Sequence, residues 1–122
     1  MLRQGPISAL VHGLVEYAAA ALLIAAPFLF GFDSEAARAL AIVAGVGVIV
    51  LAATTDFAAG LSRTLPVGIH VVLDLALVAV LIAAPFVFGF TDEGAPTAFF
   101  IILGVVHLLV TLATRFLPAR AE

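Results

Sequence analysis

Four long apolar stretches, separated by short polar segments, account for almost the whole chain. Each is close to the ~20 residues that an α-helix needs to cross the hydrocarbon core of a bilayer. The pattern predicts transmembrane helices at about 7–30, 35–57, 67–88 and 95–117. The connections after the first and third helices are only a few residues long, so the helices of each pair should be antiparallel neighbours.

The first and third stretches are copies of one sequence. Residues 11–32 read VHGLVEYAAAALLIAAPFLFGF, and residues 69–90 read IHVVLDLALVAVLIAAPFVFGF, without a gap and at a constant offset of 58 positions. This places His12 on His70 and Glu16 on Asp74. The stretches that follow them also match, after one inserted residue.

The duplication predicts an all-α, four-helix transmembrane bundle made of two parallel two-helix repeats, at about 7–58 and 66–117. Each repeat contains two spans, so both repeats insert with the same orientation and are related by a pseudo-twofold axis along the membrane normal. The 122 residues leave room only for these spans and short turns. We therefore expect a single integral membrane domain over residues 1–122.

Composition excludes several other classes of protein. The hydrophobic fraction is 65%, the charged fraction 11% and the mean hydropathy +1.31, whereas soluble domains are usually about 45–50% apolar and about 25% charged. A net charge of −3 without any lysine argues against a nucleic-acid surface. The lack of cysteine excludes disulfides, thiolate metal sites and thiol catalysis.

Arginine is distributed unevenly between the two ends of the predicted bundle. By the positive-inside rule, the arginine-rich end is cytoplasmic, so we expect both termini there and a multi-pass location in a bacterial inner membrane. The first apolar stretch recurs at 69–90, which favours a retained helix over a cleaved signal peptide. The arginines expected at the cytoplasmic end are Arg3, Arg63, Arg115 and Arg120, and only Arg38 is expected at the other end.

Proline and aromatic residues mark the ends of the first helix. Pro6 is expected at its start, and Pro27 near its outer end, where a missing N–H and a kink cost little. Phe28, Phe30 and Phe32 follow at a spacing of two, which suits a segment at the membrane interface.

Small polar residues and glycines provide signals for the second helix. Asp33 or Ser34 should cap its first turn, because their side chains accept hydrogen bonds from free backbone N–H groups. Gly45 and Gly47 should let another backbone approach closely.

These features resemble those of the SPW repeat membrane proteins, small bacterial proteins named for a Ser-Pro-Trp motif in the first helix of each repeat. The corresponding triplets here are Ala26-Pro27-Phe28 and Ala84-Pro85-Phe86, so only the proline is retained. The resemblance rests on the repeat plan and covers roughly residues 11–117. It implies a fold, but it brings no catalytic residues.

Ionisable residues in the apolar stretches form a candidate site. His12 and Glu16 are four residues apart, as are His70 and Asp74, so each pair shares a helix face. His107 replaces Val48 of the first repeat and should lie at a similar depth. One interpretation is that these residues form hydrogen-bonded contacts between helices, with Thr54, Thr55, Thr111 or Thr114 as partners. The other interpretations are a metal site for Zn, Fe or Mn, a proton or ion path, and haem held by paired histidines.

The pattern supports a structural or accessory membrane protein, in a homo-oligomer or with a membrane protein partner in a larger assembly. The alternative is a carrier of a metal, cofactor or ion that uses His12, Glu16, His70, Asp74 and His107. An enzyme ranks third, because the sequence contains no Ser/His/acid spacing of known meaning and no Gly-rich phosphate loop. The cofactor, if any, is not specified by the sequence.

The predicted orientation can be tested with single cysteines at Ser34 and Ser62, because the natural chain has none. We expect an impermeant thiol reagent outside the cell to label Ser34→Cys and to leave Ser62→Cys unlabelled until the membrane is opened. External labelling of Ser62→Cys alone would reverse the orientation.

Overall fold

The computed structural model describes residues 5–116 and contains four long helices. All four are long and apolar enough to cross a membrane, which confirms the predicted all-α transmembrane bundle. Arg3, Leu117, Pro118 and Arg120 lie outside the described residues. The elements are β1 (Ile7–Ser8), α1 (Ala9–Leu29), α2 (Glu35–Thr54), α3 (Val67–Val87), α4 (Gly94–Leu112) and β2 (Thr114–Arg115).

The two repeats bury the same positions. The helices pack mainly as two hairpins, α1 with α2 and α3 with α4. The buried residues of α3 are those of α1 shifted by 58 positions. Those of α4 are the buried residues of α2 shifted by 59, which matches the single inserted residue. Large apolar side chains such as Val43 and Ile102 cover the outside, as expected of a surface that faces lipid.

A glycine turn ends the first helix of each repeat and corrects one prediction. Gly31 adopts φ +61°, a conformation that costs other residues energy, and the N–H of Phe32 donates to the carbonyl of Pro27 at 3.0 Å. The turn folds Phe32 back into the core, where it is buried, while Phe28 and Phe30 stay exposed. The expectation that all three phenylalanines lie at the interface was therefore wrong for Phe32.

Three helix ends differ from the sequence prediction because the chain forms short extended pairs there. The first helix begins at Ala9 rather than near residue 7, since the Ser8 side chain accepts from the N–H of Val11 and caps it. Strand β1 pairs in parallel with β2, which stops α4 at Leu112. The second helix ends at Thr54 rather than near residue 57, because the next residue is extended and bridges to residue 65.

These extended contacts join the two repeats at one end of the bundle. The bridge between Thr55 and Leu65 is the repeat equivalent of the pair between Thr114 and Ile7. We call the end of the bundle that carries residues 5–8, 55–66 and 113–116 the terminal face, and the opposite end the hairpin face. On the hairpin face, the Glu93 carboxylate accepts from the N–H groups of residues 33 and 34, at 2.7 and 2.9 Å, and joins the repeats there as well.

Of the two helix glycines predicted to allow close packing, only one does so. A Cβ on Gly45 would lie 2.8 Å from the Ala20 carbonyl oxygen, so the helices of the first hairpin touch there. A Cβ on Gly47 would meet nothing within 4 Å, which makes that prediction wrong. Ser34, rather than Asp33, caps α2 by accepting from the N–H of residue 37.

The glycine turn gives a test with an internal control. Gly31→Ala should lower the free energy of unfolding by about 1–2 kcal/mol, because alanine resists the left-handed conformation. Gly47→Ala should not lower it, since the position is helical, open and better suited to alanine. Unfolding in mixed detergent micelles would measure both, and equal losses for the two variants would contradict the assignment of the turn.

Candidate functional site

Four ionisable side chains meet on the axis between the repeats. His12 and Glu16 lie one turn apart on α1, and His70 and Asp74 occupy the same positions on α3. All four are fully buried, roughly 5–10 Å along their helices from the terminal face. This confirms the prediction that the carboxylates face the interior. We call these four residues the central cluster.

The histidines and carboxylates of the central cluster alternate around a closed ring. His12 Nε2 lies 3.2 Å from Glu16 Oε1 and 3.1 Å from Asp74 Oδ2. His70 Nε2 lies 3.1 Å from Glu16 Oε1 and 3.0 Å from Asp74 Oδ2. One ligand atom from each residue falls in a group whose members are within 4.8 Å of one another. Each imidazole therefore contacts the carboxylate of its own repeat and that of the other.

Threonine hydroxyls fix which nitrogen of each imidazole carries a proton. Thr55 Oγ1 lies 2.6 Å from the Leu51 carbonyl, to which it can only donate. Its remaining contact, with His70 Nδ1 at 2.7 Å, must then be an N–H donated by the imidazole. Thr114 does the same for His12, since it donates to the carbonyl of residue 110 and accepts from Nδ1 at 2.9 Å.

Each threonine forms its hydrogen bond with the histidine of the other repeat. Thr55 belongs to the first repeat and holds the histidine of the second, whereas Thr114 belongs to the second and holds the histidine of the first. With Nδ1–H engaged, both Nε2 atoms point at the carboxylates. A neutral imidazole would present a lone pair to an anion there. The arrangement therefore requires further protons at the imidazole–carboxylate contacts, on Nε2 or on the carboxyl oxygens, or a cation shared by the ring.

Four buried polar atoms at this centre make no well-aligned hydrogen bond within the described chain. Within residues 5–116, every buried side-chain nitrogen or oxygen without a hydrogen-bond partner belongs to this region. Buried polar atoms are normally paired, and in hydrocarbon each unpaired one costs several kcal/mol. These atoms are Glu16 Oε2, Asp74 Oδ1, His107 Nε2 and Thr111 Oγ1. The first three still have charged contacts, because His70 Nε2 lies 3.0 Å from Glu16 Oε2 and His107 Nε2 lies 3.2 Å from Asp74 Oδ1. Among the described residues, the Thr111 hydroxyl is the one left without a polar contact.

His107 approaches the ring from α4 and breaks its twofold symmetry. Its Nε2 lies 3.2 Å from Asp74 Oδ1 and 3.5 Å from Glu16 Oε1, so it contacts both carboxylates, outside the compact group of four ligand atoms. Thr111 lies one turn further on the same buried face. The equivalent positions of α2 are the apolar residues Val48 and Ala52.

Two equivalent phenylalanines cover the central cluster on the side of the terminal face. The Phe116 ring packs on His12 with centroids 4.7 Å apart, and the Phe57 ring packs on His70 at 5.2 Å. Gly13 makes room for this cover, because a Cβ there would lie 3.0 Å from the Phe57 ring. The histidines thus have an apolar wall on one side and the carboxylates on the other.

All five residues proposed from the sequence come together: His12, Glu16, His70 and Asp74 in the ring, and His107 beside it. Of the suggested threonine partners, Thr54 only donates to the carbonyls of residues 50 and 51 and does not reach the site. Sequence reasoning missed the cover of Phe57 and Phe116, although their equivalence in the repeat alignment was visible. Their ring contacts depend on how the chain folds back after α2 and α4.

Comparison with models of known families gives one match. The model described as the SPW repeat domain matches residues 10–114 and confirms the resemblance inferred from the repeat plan. No curated protein and no solved structure matches the chain significantly. The comparisons thus identify the architecture and assign no role to the central cluster.

The hydroxyl that orients His70 provides a test of the site geometry. Thr55→Val should lower the free energy of unfolding by about 1–3 kcal/mol, because it leaves a buried imidazole N–H without an acceptor. Thr54→Val makes the same side-chain substitution one residue away and should lower the free energy of unfolding by less than about 1 kcal/mol. Detergent unfolding measures both effects, and nitrogen NMR of the histidines should show a change of tautomer only in Thr55→Val.

Proposed function

The chain belongs to the SPW repeat family, and we propose that this small multi-pass membrane protein binds one divalent transition-metal ion in the central cluster. His12, Glu16, His70 and Asp74 supply the ligands. The observation that carries the proposal is the pair of imidazoles whose Nδ1–H groups are held by threonine while both Nε2 atoms face two buried carboxylates.

The charge of the cluster supports a divalent ion. Two carboxylates contribute two negative charges inside an apolar bundle, and neutral imidazoles add none. One divalent cation would neutralise them without any change in the tautomer that the threonines set.

The spacing brings four ligand atoms close enough to share one ion. The imidazole and carboxylate atoms that alternate around the ring are 3.0–3.2 Å apart, and all four ligand atoms lie within 4.8 Å of one another. Ligand atoms around an ion at ~2.0–2.2 Å lie ~3.3–3.6 Å apart in tetrahedral geometry. Binding would therefore widen the neighbouring distances by a few tenths of an ångström and adjust the distances across the ring.

The donor set favours zinc, manganese or iron. Imidazole nitrogen suits zinc and iron, and carboxylate oxygen suits manganese, while the soft sulfur ligands that select copper(I) are lacking. The threonine that accepts from each Nδ1–H also matches a recurrent feature of metal-bound histidine, whose second nitrogen usually donates to an oxygen.

A structural role for the same cluster is the second candidate. Every imidazole in the ring contacts the carboxylate of the other repeat, and the threonine bonds also cross between repeats. With both Nε2 atoms protonated, these contacts would be ion pairs that hold the two hairpins together. An accessory role in an oligomer or larger assembly, an inner-membrane location and cytoplasmic termini remain predictions.

Metal analysis of the purified protein tests the first proposal. Produced with zinc, manganese and iron in the medium, and with an affinity tag free of histidine, the chain should carry about one ion. Glu16→Gln and Asp74→Asn should each weaken binding by about 10–100-fold or more. Glu35→Gln is the control, because it neutralises an exposed carboxylate outside the site and should leave binding unchanged.

The metal-free protein separates the two candidates. If metal stays substoichiometric and does not respond to Glu16→Gln, the metal proposal is wrong. If the same variant also destabilises the metal-free chain by about 3–5 kcal/mol, as expected when one partner of a buried ion pair is removed, the structural role stands alone.

A further inference from the structure

The polar side chains on α4 break the symmetry of an otherwise twofold centre. His107 and Thr111, which we call the polar lane, occupy positions that are filled by Val48 and Ala52 on α2. The packing around these positions is equivalent, since the same helix faces are buried in both repeats. Packing alone therefore does not account for the two polar side chains.

The two members of the polar lane differ in how the described chain satisfies them. Thr111 Oγ1 is buried and has no hydrogen-bond partner among residues 5–116, whereas His107 Nε2 is buried and has only its charged contacts with the carboxylates, the shorter being 3.2 Å to Asp74 Oδ1. The contrast with other threonines is direct. Thr55 and Thr114 donate to the carbonyl four residues back, as Thr54 does, whereas Thr111 makes no such bond. Its hydroxyl is left available to a ligand that the chain does not provide.

The two side chains of the lane lie in line between the central cluster and the terminal face. His107 touches both carboxylates, and Thr111 is the second-last residue of α4, one turn nearer that face. Charge at the rim attracts a cation after α2, where Asp56 lies, and repels one after α4, where Arg115 lies, but both side chains are exposed and their effect is screened by solvent. The Arg115 guanidinium is also engaged by the backbone carbonyls of residues 5 and 6.

We propose that the polar lane binds water and the hydrated divalent ion on the way from the terminal face to the central cluster. Entry is one-sided, along α4 and not along α2. The passage of an ion along the lane rests on the metal-binding function proposed above, whereas the hydration of the lane can be tested without any metal. Thr111 Oγ1 and His107 Nε2 would replace part of the water shell before the carboxylates take the ion.

Cysteine reactivity in the metal-free protein is the primary test, because the natural chain has no cysteine. A small, charged methanethiosulfonate needs a hydrated thiolate and reacts poorly in an apolar environment. In nanodiscs, Thr111→Cys should react faster than Ala52→Cys by an order of magnitude or more. Ser62→Cys in the exposed linker sets the upper limit of reactivity.

Equal rates for the two buried cysteines, or a faster Ala52→Cys, would overturn the proposal. Should Thr111→Cys fail to fold, His107→Cys and Val48→Cys provide the same matched comparison one turn deeper. A reactive His107→Cys beside an inert Val48→Cys would support the lane, and the reverse order would overturn it.

Metal uptake then tests the ion itself. Thr111→Ala should slow the uptake of zinc measured by stopped flow, and Thr111→Ser, which keeps the hydroxyl, should restore the rate. Uptake that is equally fast in Thr111→Ala would overturn ion passage along the lane. A chain that takes up none of zinc, manganese or iron would refute the metal function, while the cysteine rates would still decide whether the lane is hydrated.

Discussion

The structure depends on one constraint, which is that two carboxylates are buried against two imidazoles inside an apolar bundle. Glu16 and Asp74 have no exposure, and an unpaired charge in that position would be costly. The threonine hydroxyls turn both Nε2 atoms toward the carboxylates. The negative charge must then be neutralised at the centre, by protons or by a cation, which links the stability of the bundle to what is bound there.

Duplication is what makes this centre possible. Each repeat contributes one histidine and one carboxylate to the ring, and its orienting threonine reaches the histidine of the other repeat. The extended segments that precede α1 and α3 pair with those that follow α4 and α2, and so fix the threonines at the right height. One hairpin alone cannot assemble the cluster.

Sequence pattern predicted the helices, the repeat and the five ionisable residues, because apolar length and a constant offset are local properties of the chain. It failed where a turn or a pairing reverses the chain. Phe32 was placed at the interface since nothing local reports that Gly31 folds it inward. The orienting bonds from His12 and His70 join residues 102 and 15 positions apart, so spacing along one helix could not reveal them.

The two departures from symmetry carry information that the symmetric part does not. A twofold axis would give identical surroundings to both carboxylates, and a centre that only held helices together would have no use for a difference between α2 and α4. His107 and Thr111 introduce that difference at adjacent turns of one helix, where the Thr111 hydroxyl has no partner among the described residues and His107 Nε2 has only its charged contacts with the carboxylates. In hydrocarbon such atoms are destabilising unless something binds them. Because both residues lie on α4, a polar ligand is stabilised on the α4 side of the centre and not on the α2 side.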